Sequence, residues 1–358
     1  MKHKLGIIGY GTMGSWHAQN VSERINNLDV ALIYDIDPKK RALARENGFN
    51  VCDNEEEFFN SPIDMVLVAT PNNFHKIHCI QAMKNGKNVV SEKPACLSMQ
   101  ELEEVIAVSN ETGMLYTVHQ NRRFDTDYAI IKNIVKQNLL GKNFYLNSRL
   151  YGNRGFSNAS WKSLYETGGG LLYDWGIHLI DQVLCLFEDD APIYVYAELQ
   201  KVRMVDVDDV CRVTIEFKSG LKVQVIADLW CYIGEARWHL EGSEGTAIID
   251  KWFGQDGKII RAKNQIIKWE EGCVYTPNGL STTMWPRAEQ DLEELPLPIP
   301  ETLPRWEEFY ENIIEVIEGK AKPIVTHEQI KKSLAIIMAS FESSKNHSVV
   351  NVDKYLRG

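Results

Sequence analysis

The sequence predicts a chain that is α/β in its first part and α+β in its second: a doubly wound parallel sheet, then a domain built on an open, mostly antiparallel sheet. Three observations carry this. Residues 1 to about 120 alternate short apolar runs with amphipathic helical stretches, as a parallel sheet covered on both faces requires. Beyond them the texture changes: Cys211, Val213, Ile215 and Phe217 alternate with Arg212, Thr214 and Glu216, and Leu221 to Ile226 returns after the Ser219-Gly220 turn as an antiparallel hairpin does. At 358 residues the chain also exceeds a single core, so two domains are expected, 1–121 and 122–358.

In the first domain, Leu5 to Ile8 is a buried strand ending in Gly9-Tyr10-Gly11-Thr12-Met13-Gly14, which opens a helix. This is G-x-G-x-x-G in the strand-turn-helix setting of a Rossmann nucleotide site. Gly9 serves the tight turn, Gly11 lets the backbone approach a pyrophosphate, and Gly14 lets the helix pack on the strand. Val30 to Tyr34 is the second strand, and Asp35 ends it, roughly 20 residues past the glycines, where a carboxylate accepts ribose hydroxyls. Its charge favours NAD over the 2′-phosphate of NADP. Lys39, Lys40 and Arg41 follow closely, which keeps NADP as the second choice.

Phe49 to Cys52 is expected to form a short third strand, followed by Asp64 to Ala69, Asn88 to Val90 and Met114 to Val118. Thr70-Pro71-Asn72-Asn73 lies at a strand's carboxyl end, where such sheets bind ligands. His75 and His78 sit one helical turn apart without an evident third ligand, so no metal is assigned to them. Ser91-Glu92-Lys93-Pro94 follows the next strand, and the proline places Lys93 at the sheet edge rather than in a helix. Ser98-Met99-Gln100-Glu101 is a capping box.

In the second domain, strands are expected at 144–150, 193–203, 237–241, 246–250 and 259–261 as well. The exposed face of the sheet, carrying Trp230, Tyr232 and Trp238, suits a homodimer or homotetramer. Residues 286 to 304 hold five prolines and read as an irregular connection. Helices follow at 306–318 and about 327–345, the last expected to pack back toward the first domain.

A formal net charge of -10 offers no basic field for nucleic acid or an anionic membrane, and no apolar stretch reaches bilayer length. A cytoplasmic protein is expected. Seven scattered cysteines without C-x-x-C argue against disulfides and zinc.

Gly168-Gly169-Gly170 leads into a predicted helix carrying Asp174 and His178, four apart and hence on one face, with Asp181 a turn further. Three readings compete: an acid–base pair, a metal site for a hydrolase, or a histidine held by a carboxylate. The neighbouring dinucleotide site favours the first, because oxidation of an alcohol needs a proton acceptor and histidine titrates near neutral pH.

The glycine motif, Glu92-Lys93-Pro94 and Asp174-x-Gly176-x-His178, in this order, resemble the glucose-fructose oxidoreductase, inositol dehydrogenase and MocA (Gfo/Idh/MocA) family over nearly the whole chain. Thr70-Pro71-Asn72, Asn121-Arg122-Arg123-Phe124 and Gly242-x-x-Gly245-Thr246 extend the resemblance. It implies an NAD(P)-dependent oxidoreductase acting on a secondary hydroxyl of a sugar, inositol or related polyol. Lys93 would bind the reacting hydroxyl, His178 take its proton, and Asp174 orient both, with lysine as base kept open.

The expected cofactor-binding set is Gly9, Gly11, Thr12, Met13, Gly14, Asp35, Thr70, Pro71, Asn72, His75, Glu92 and Lys93. Arg122, Trp161, Tyr165, Trp230 and Tyr232 join Lys93, Asp174 and His178 as substrate candidates, core or interface packing being the alternative for each aromatic. A retained-NAD epimerase or lyase, or a non-catalytic nucleotide-binding regulatory protein, are the alternatives to a dehydrogenase.

Overall fold

The computed structural model describes residues 2–152, 155–157, 160–263, 274–282 and 291–356. Cys273 and Pro286 lie outside them. Strands β1 (His3–Ile8), β2 (Leu28–Tyr34), β3 (Met65–Val68), β4 (Asn88–Ser91) and β5 (Tyr116–Val118) form a parallel sheet in the order β2-β1-β3-β4-β5. Its strands are apolar on both faces, and Leu5, Ile7, Val66, Leu67, Val89 and Val90 are fully buried, as helix-covered parallel sheets require. The expected strand at 49–52 does not form. Only a single bridge joins Val51 to Ile33, because the chain from Cys52 turns at once into the helix capped by Asn54.

Helices α1 (Thr12–Arg24), α2 (Pro38–Glu46), α3 (Glu55–Asn60), α4 (His75–Lys84) and α5 (Met99–Thr112) connect these strands. Ser98 caps α5 by accepting from the Glu101 amide, and Gly113 closes it in the left-handed region at φ 70°, the conformation glycine adopts without Cβ cost.

Helix α6 (Thr126–Lys136) leads into a nine-stranded sheet made of β6 (Asn143–Tyr151), β7 (Pro192–Gln200), β8 (Val210–Phe217), β9 (Lys222–Asp228), β10 (Trp238–Gly242), β11 (Gly245–Ile249), β12 (Gly257–Ala262), β15 (Leu292–Leu295) and β16 (Val350–Asn351). A separate hairpin holds β13 (Val274–Thr276) and β14 (Gly279–Thr282). Within the large sheet, β6 and β9 pair in parallel and the other pairs are antiparallel. Val213, Ile215, Val223 and Val225 are buried while the intervening residues are not, so one face packs against helices.

Trp238, expected on the exposed face, is fully buried, and its indole donates to Asp127 at 2.8 Å. The open face instead shows Tyr194 and Tyr196, paired with Glu216 and Thr214 of β8. Helices α7 (Ile177–Leu186), α8 (Glu307–Ile317), α9 (His327–Asn346) and α10 (Asp353–Leu356) complete the chain. Helix α9 touches both sheets: Ser343 Oγ accepts from the Ala197 amide at 2.9 Å, and His327 Nε2 donates to the Tyr116 carbonyl at 3.0 Å. Among the described residues no helix is long and apolar enough to cross a membrane, and the six described cysteines are free.

Candidate active site

Glycines set the geometry of the first half of the site. Gly9 has φ 95°, and a Cβ there would lie 2.6 Å from the Ala69 carbonyl oxygen. A Cβ at Gly14 would lie 1.9 Å from the Gly9 carbonyl oxygen, so α1 starts in direct contact with the turn. At Gly11 a Cβ would meet nothing within 4 Å, because this residue faces an open cleft. The amides opening α1 therefore look into space that an anion can fill, and the fit to a dinucleotide pyrophosphate is good.

Two cavities meet at Gly11, Ala69 and Thr70. One, of about 380 Å³, is walled by Gly9, Asp35, Ile36, Lys40, Pro71, Phe74 and His78. Asp35 Oδ2 accepts from the Tyr10 amide at 2.6 Å and Oδ1 from the Asp37 amide at 2.8 Å, which fixes its carboxylate on the wall. Arg41 turns away to the carbonyls of Asp35 and Ile36 and to Asp53; Lys40 is the cation that lines this cavity.

The second cavity, of about 240 Å³, is lined by Thr12, Met13, Asn72, His75, Glu92, Lys93, Lys162, the three glycines 168–170 and Asp174, among others. Lys93 Nζ donates to the Asp174 carbonyl at 2.6 Å and to its Oδ1 at 2.9 Å. Lys162, which sequence reasoning missed, donates to the same Oδ1 at 2.8 Å. Its signal was its place seven residues before Gly169, but nothing in that spacing points to Asp174 until the chain is folded. Burial pushes the Asp174 carboxyl up, yet the two ammoniums outweigh it and hold it well below the usual carboxylate range.

Asp174 and His178 are not on one regular helix. Leu172–Gly176 forms a π-helical turn that feeds α7, a device that recurs at functional sites. His178 is nearly fully buried, and its Nδ1 lacks a partner. Burial, then the charges of Lys93 and Arg122, hold it well below 6.5 and therefore neutral. Asp181, a further turn along, leaves the site: it forms a buried bidentate pair with Arg123 at 2.7 and 2.6 Å. The metal-hydrolase reading loses its third ligand there.

The triple glycine is a junction of three contacts. Asn72 Nδ2 donates to the Gly168 carbonyl at 2.8 Å; a Cβ at Gly169 would lie 2.3 Å from the Lys162 carbonyl oxygen; one at Gly170, where φ is 108°, would lie 2.4 Å from Asp208 Oδ1. Asp208 in turn accepts from the Leu172 amide at 2.7 Å, and burial pushes its carboxyl up to about 6.

Glu92 lines the second cavity too, and its carboxylate is held in a buried cluster. Its Oε1 accepts from His17 Nε2 at 2.8 Å and His119 Nδ1 at 3.0 Å, and Tyr310 donates to His17 Nδ1 at 2.8 Å. These spacings are direct hydrogen bonds; three ligands around zinc stand about 2 Å from the ion and further from one another. His75 bridges the Pro94 and Thr70 carbonyls, and His78 reaches the Thr70 hydroxyl, so each holds the cofactor loop.

Several expected substrate contacts lie elsewhere. Arg122 is stacked among Trp175, Trp252 and Phe253. Tyr165 and Tyr232 are each 69% exposed and off the cavity wall, Tyr232 accepting from Arg203. Trp230 donates to Asp209 at 2.7 Å. Trp161 does line the cavity, but it lines the Asp35 cavity too.

Residues 3–120 match the oxidoreductase family with an NAD-binding Rossmann fold, and residues 128–248 match the GFO/IDH/MocA C-terminal domain. The chain belongs to the GFO/IDH/MocA oxidoreductase family. It is 29% identical to scyllo-inositol 2-dehydrogenase (NADP(+)) IolW of Bacillus subtilis, over 98% of this chain and 96% of that protein. It is 28% identical to the NAD(+) scyllo-inositol 2-dehydrogenase of the same organism, over 74% and 79%. An NAD-binding protein from Listeria innocua is 34% identical, with a TM-score of 0.91 over 98% of this chain and 99% of that one. This GFO/IDH/MocA member is thus an oxidoreductase with an NAD-binding Rossmann domain.

Proposed function

We propose that this oxidoreductase oxidises a secondary hydroxyl of a sugar, inositol or related polyol, with NAD as the preferred acceptor. The observation that carries the reading is the Lys93–Asp174 contact at 2.9 Å, placed in the cavity that opens onto Gly11, Thr12 and Met13. Bound along the two cavities, a nicotinamide dinucleotide supplies the hydride acceptor. The glycine turn and the α1 amides would hold its pyrophosphate, and Asp35 its ribose. Lys93, with two donors on Asp174, has a third N–H to give a substrate oxygen as charge grows on it. His178, kept neutral by its surroundings, is in the state that accepts a proton. Asp174 fixes Lys93 and offers its other oxygen to a substrate hydroxyl.

The preference for NAD rests on the Asp35 carboxylate in the first cavity, against a single lining lysine, Lys40. The test is near-ultraviolet absorbance of reduced nicotinamide on mixing the protein with NAD or NADP and a panel of inositols, aldoses and anhydro sugars. Reduction with one compound class supports the reading. Tight NAD binding with no reduction across the panel turns it toward a retained-cofactor epimerase or lyase.

A further inference from the structure

Glu92 is a buried carboxylate that touches no cation. It is 4% exposed and lines the cavity shared by Met13, Lys93 and Asp174. Lys93 is its neighbour in sequence, but the Lys93 ammonium is given to Asp174, and only the Lys93 amide reaches Glu92, at 3.3 Å from Oε2.

The remaining partners are the two histidines on Oε1, and both are neutral. His119 carries its proton on Nδ1, which faces Glu92, and its Nε2 is buried without a partner. A second proton there would bury an N–H with no acceptor. His17 donates from Nε2 and accepts at Nδ1 from the Tyr310 hydroxyl, and burial holds it at about 4. Burial pushes the Glu92 carboxyl up, but hydrogen bonds from His119 and His17 hold it well below the usual carboxylate range. Three neutral N–H groups thus keep Glu92 ionised, and none of them cancels its charge.

A buried charge is costly unless an opposite charge meets it. On the same cavity wall, Lys93 and Lys162 share the Asp174 carboxylate, which leaves one positive charge in excess. Without Glu92 the wall would repel a cation; with it, the ammoniums and carboxylates balance. Of the two redox forms of a nicotinamide cofactor, the oxidised ring is cationic and the reduced ring neutral, so a fixed carboxylate discriminates between them.

We infer that Glu92 is a fixed negative charge that sets the redox preference of the site: it tightens binding of the oxidised nicotinamide cofactor relative to the reduced one, and His17, His119 and Tyr310 hold it in the ionised form. Glu92 neither gains nor loses a proton in this role. The inference rests on nucleotide binding by the family and not on which polyol is oxidised.

The experiment measures the dissociation constants of NAD and NADH, or of NADP and NADPH where that pair binds tighter, on the full-length protein without substrate, by calorimetry and fluorescence titration. Glu92→Gln should weaken the oxidised form by about tenfold or more relative to the reduced form, whereas lost packing alone would weaken both alike. Glu92→Asp, which keeps the charge, should leave the ratio of the two constants within about threefold of the parent. A Glu92→Gln protein with the parent ratio overturns the proposal, and so does a Glu92→Asp protein whose ratio shifts as far as that of Glu92→Gln. If Glu92→Gln does not fold, the parent decides: it should bind the oxidised form at least as tightly as the reduced one, and a reduced form held about tenfold tighter overturns the proposal. Because no polyol is present, failure of the polyol reading would leave these constants unchanged.

Discussion

Lys93 gives two of its three N–H donors to a single residue 81 positions away, Asp174, one to the carbonyl at 2.6 Å and one to the carboxylate at 2.9 Å. The contact joins the carboxyl edge of the parallel sheet to the π-turn before α7, so the lysine is aimed by backbone as well as by charge. An ammonium placed this way stabilises negative charge on a reacting oxygen at little cost in reorganisation.

Replacing Lys93 by Met keeps the length of the stem and removes the charge. Turnover is expected to fall by roughly 10²–10⁴-fold, with the dissociation constant for NADH within about threefold of the parent. Steady-state rates and fluorescence titration check the two halves separately. Undiminished turnover would remove Lys93 from the chemistry.

His178 is held well below 6.5 by burial first, then by Lys93 and Arg122. A base with that environment stays neutral through the usual histidine range, so kcat/KM should show no acidic limb near pH 6.5, the rate falling only at lower pH. Arg122→Gln removes one of the opposing charges and should move the limb upward. A pH profile of the parent with a midpoint at 6.5 would assign the titration to another group.

The proposed preference for NAD rests on the charge of Asp35. Asp35→Asn retains a carbonyl oxygen for the Tyr10 amide, now accepted at 2.6 Å, while removing the repulsion toward a 2′-phosphate. The ratio of kcat/KM for NAD to that for NADP should fall by about tenfold or more, about 1.4 kcal/mol. An unchanged ratio would mean that Lys40, on the same cavity wall, sets the preference.

The parallel sheet and the glycine turn were legible because each is a local signal: short apolar runs, a motif at a strand end, a carboxylate after the next strand. Motif order singled out Lys93, Asp174 and His178, and the fold brings the first two into contact. What escaped was set by register across long separations. Lys162 meets Asp174 only through the packing of Gly169 on the Lys162 carbonyl, which no spacing in the sequence encodes. The Asp174/Asp181 stripe assumed a uniform helix; the π-turn displaced it, and Arg123 took Asp181. Trp238 was read as exposed because alternation tells which residues share a face and not which face meets helices, and Asp127 waits on the buried side.

The cluster below Lys93 makes a prediction about acid. Burial first, then the charge of His119, hold His17 at about 4 against the opposing pull of Glu92. Glu92 is pushed up by burial, but hydrogen bonds from His119 and His17 hold it well below 4.5. For His17, the unfolded chain takes up a proton near pH 6.5 and the folded one does not, so its contribution is full above pH 6.5 and is lost as pH falls toward 4, by about 3 kcal/mol in all. Glu92 acts in the same sense below pH 4.5. Asp125, raised to about 7, and Asp208, raised to about 6, act oppositely, since their protonated forms favour the fold. The comparison of parent and variant isolates the histidine. His17→Gln keeps an N–H for Glu92 but cannot titrate; it should be less stable than the parent at pH 7.5 by about 1–3 kcal/mol for the disturbed network, and the gap should shrink by pH 5. Urea unfolding at the two pH values measures it, and a gap that stays constant would show that burial of His17 carries no acid penalty.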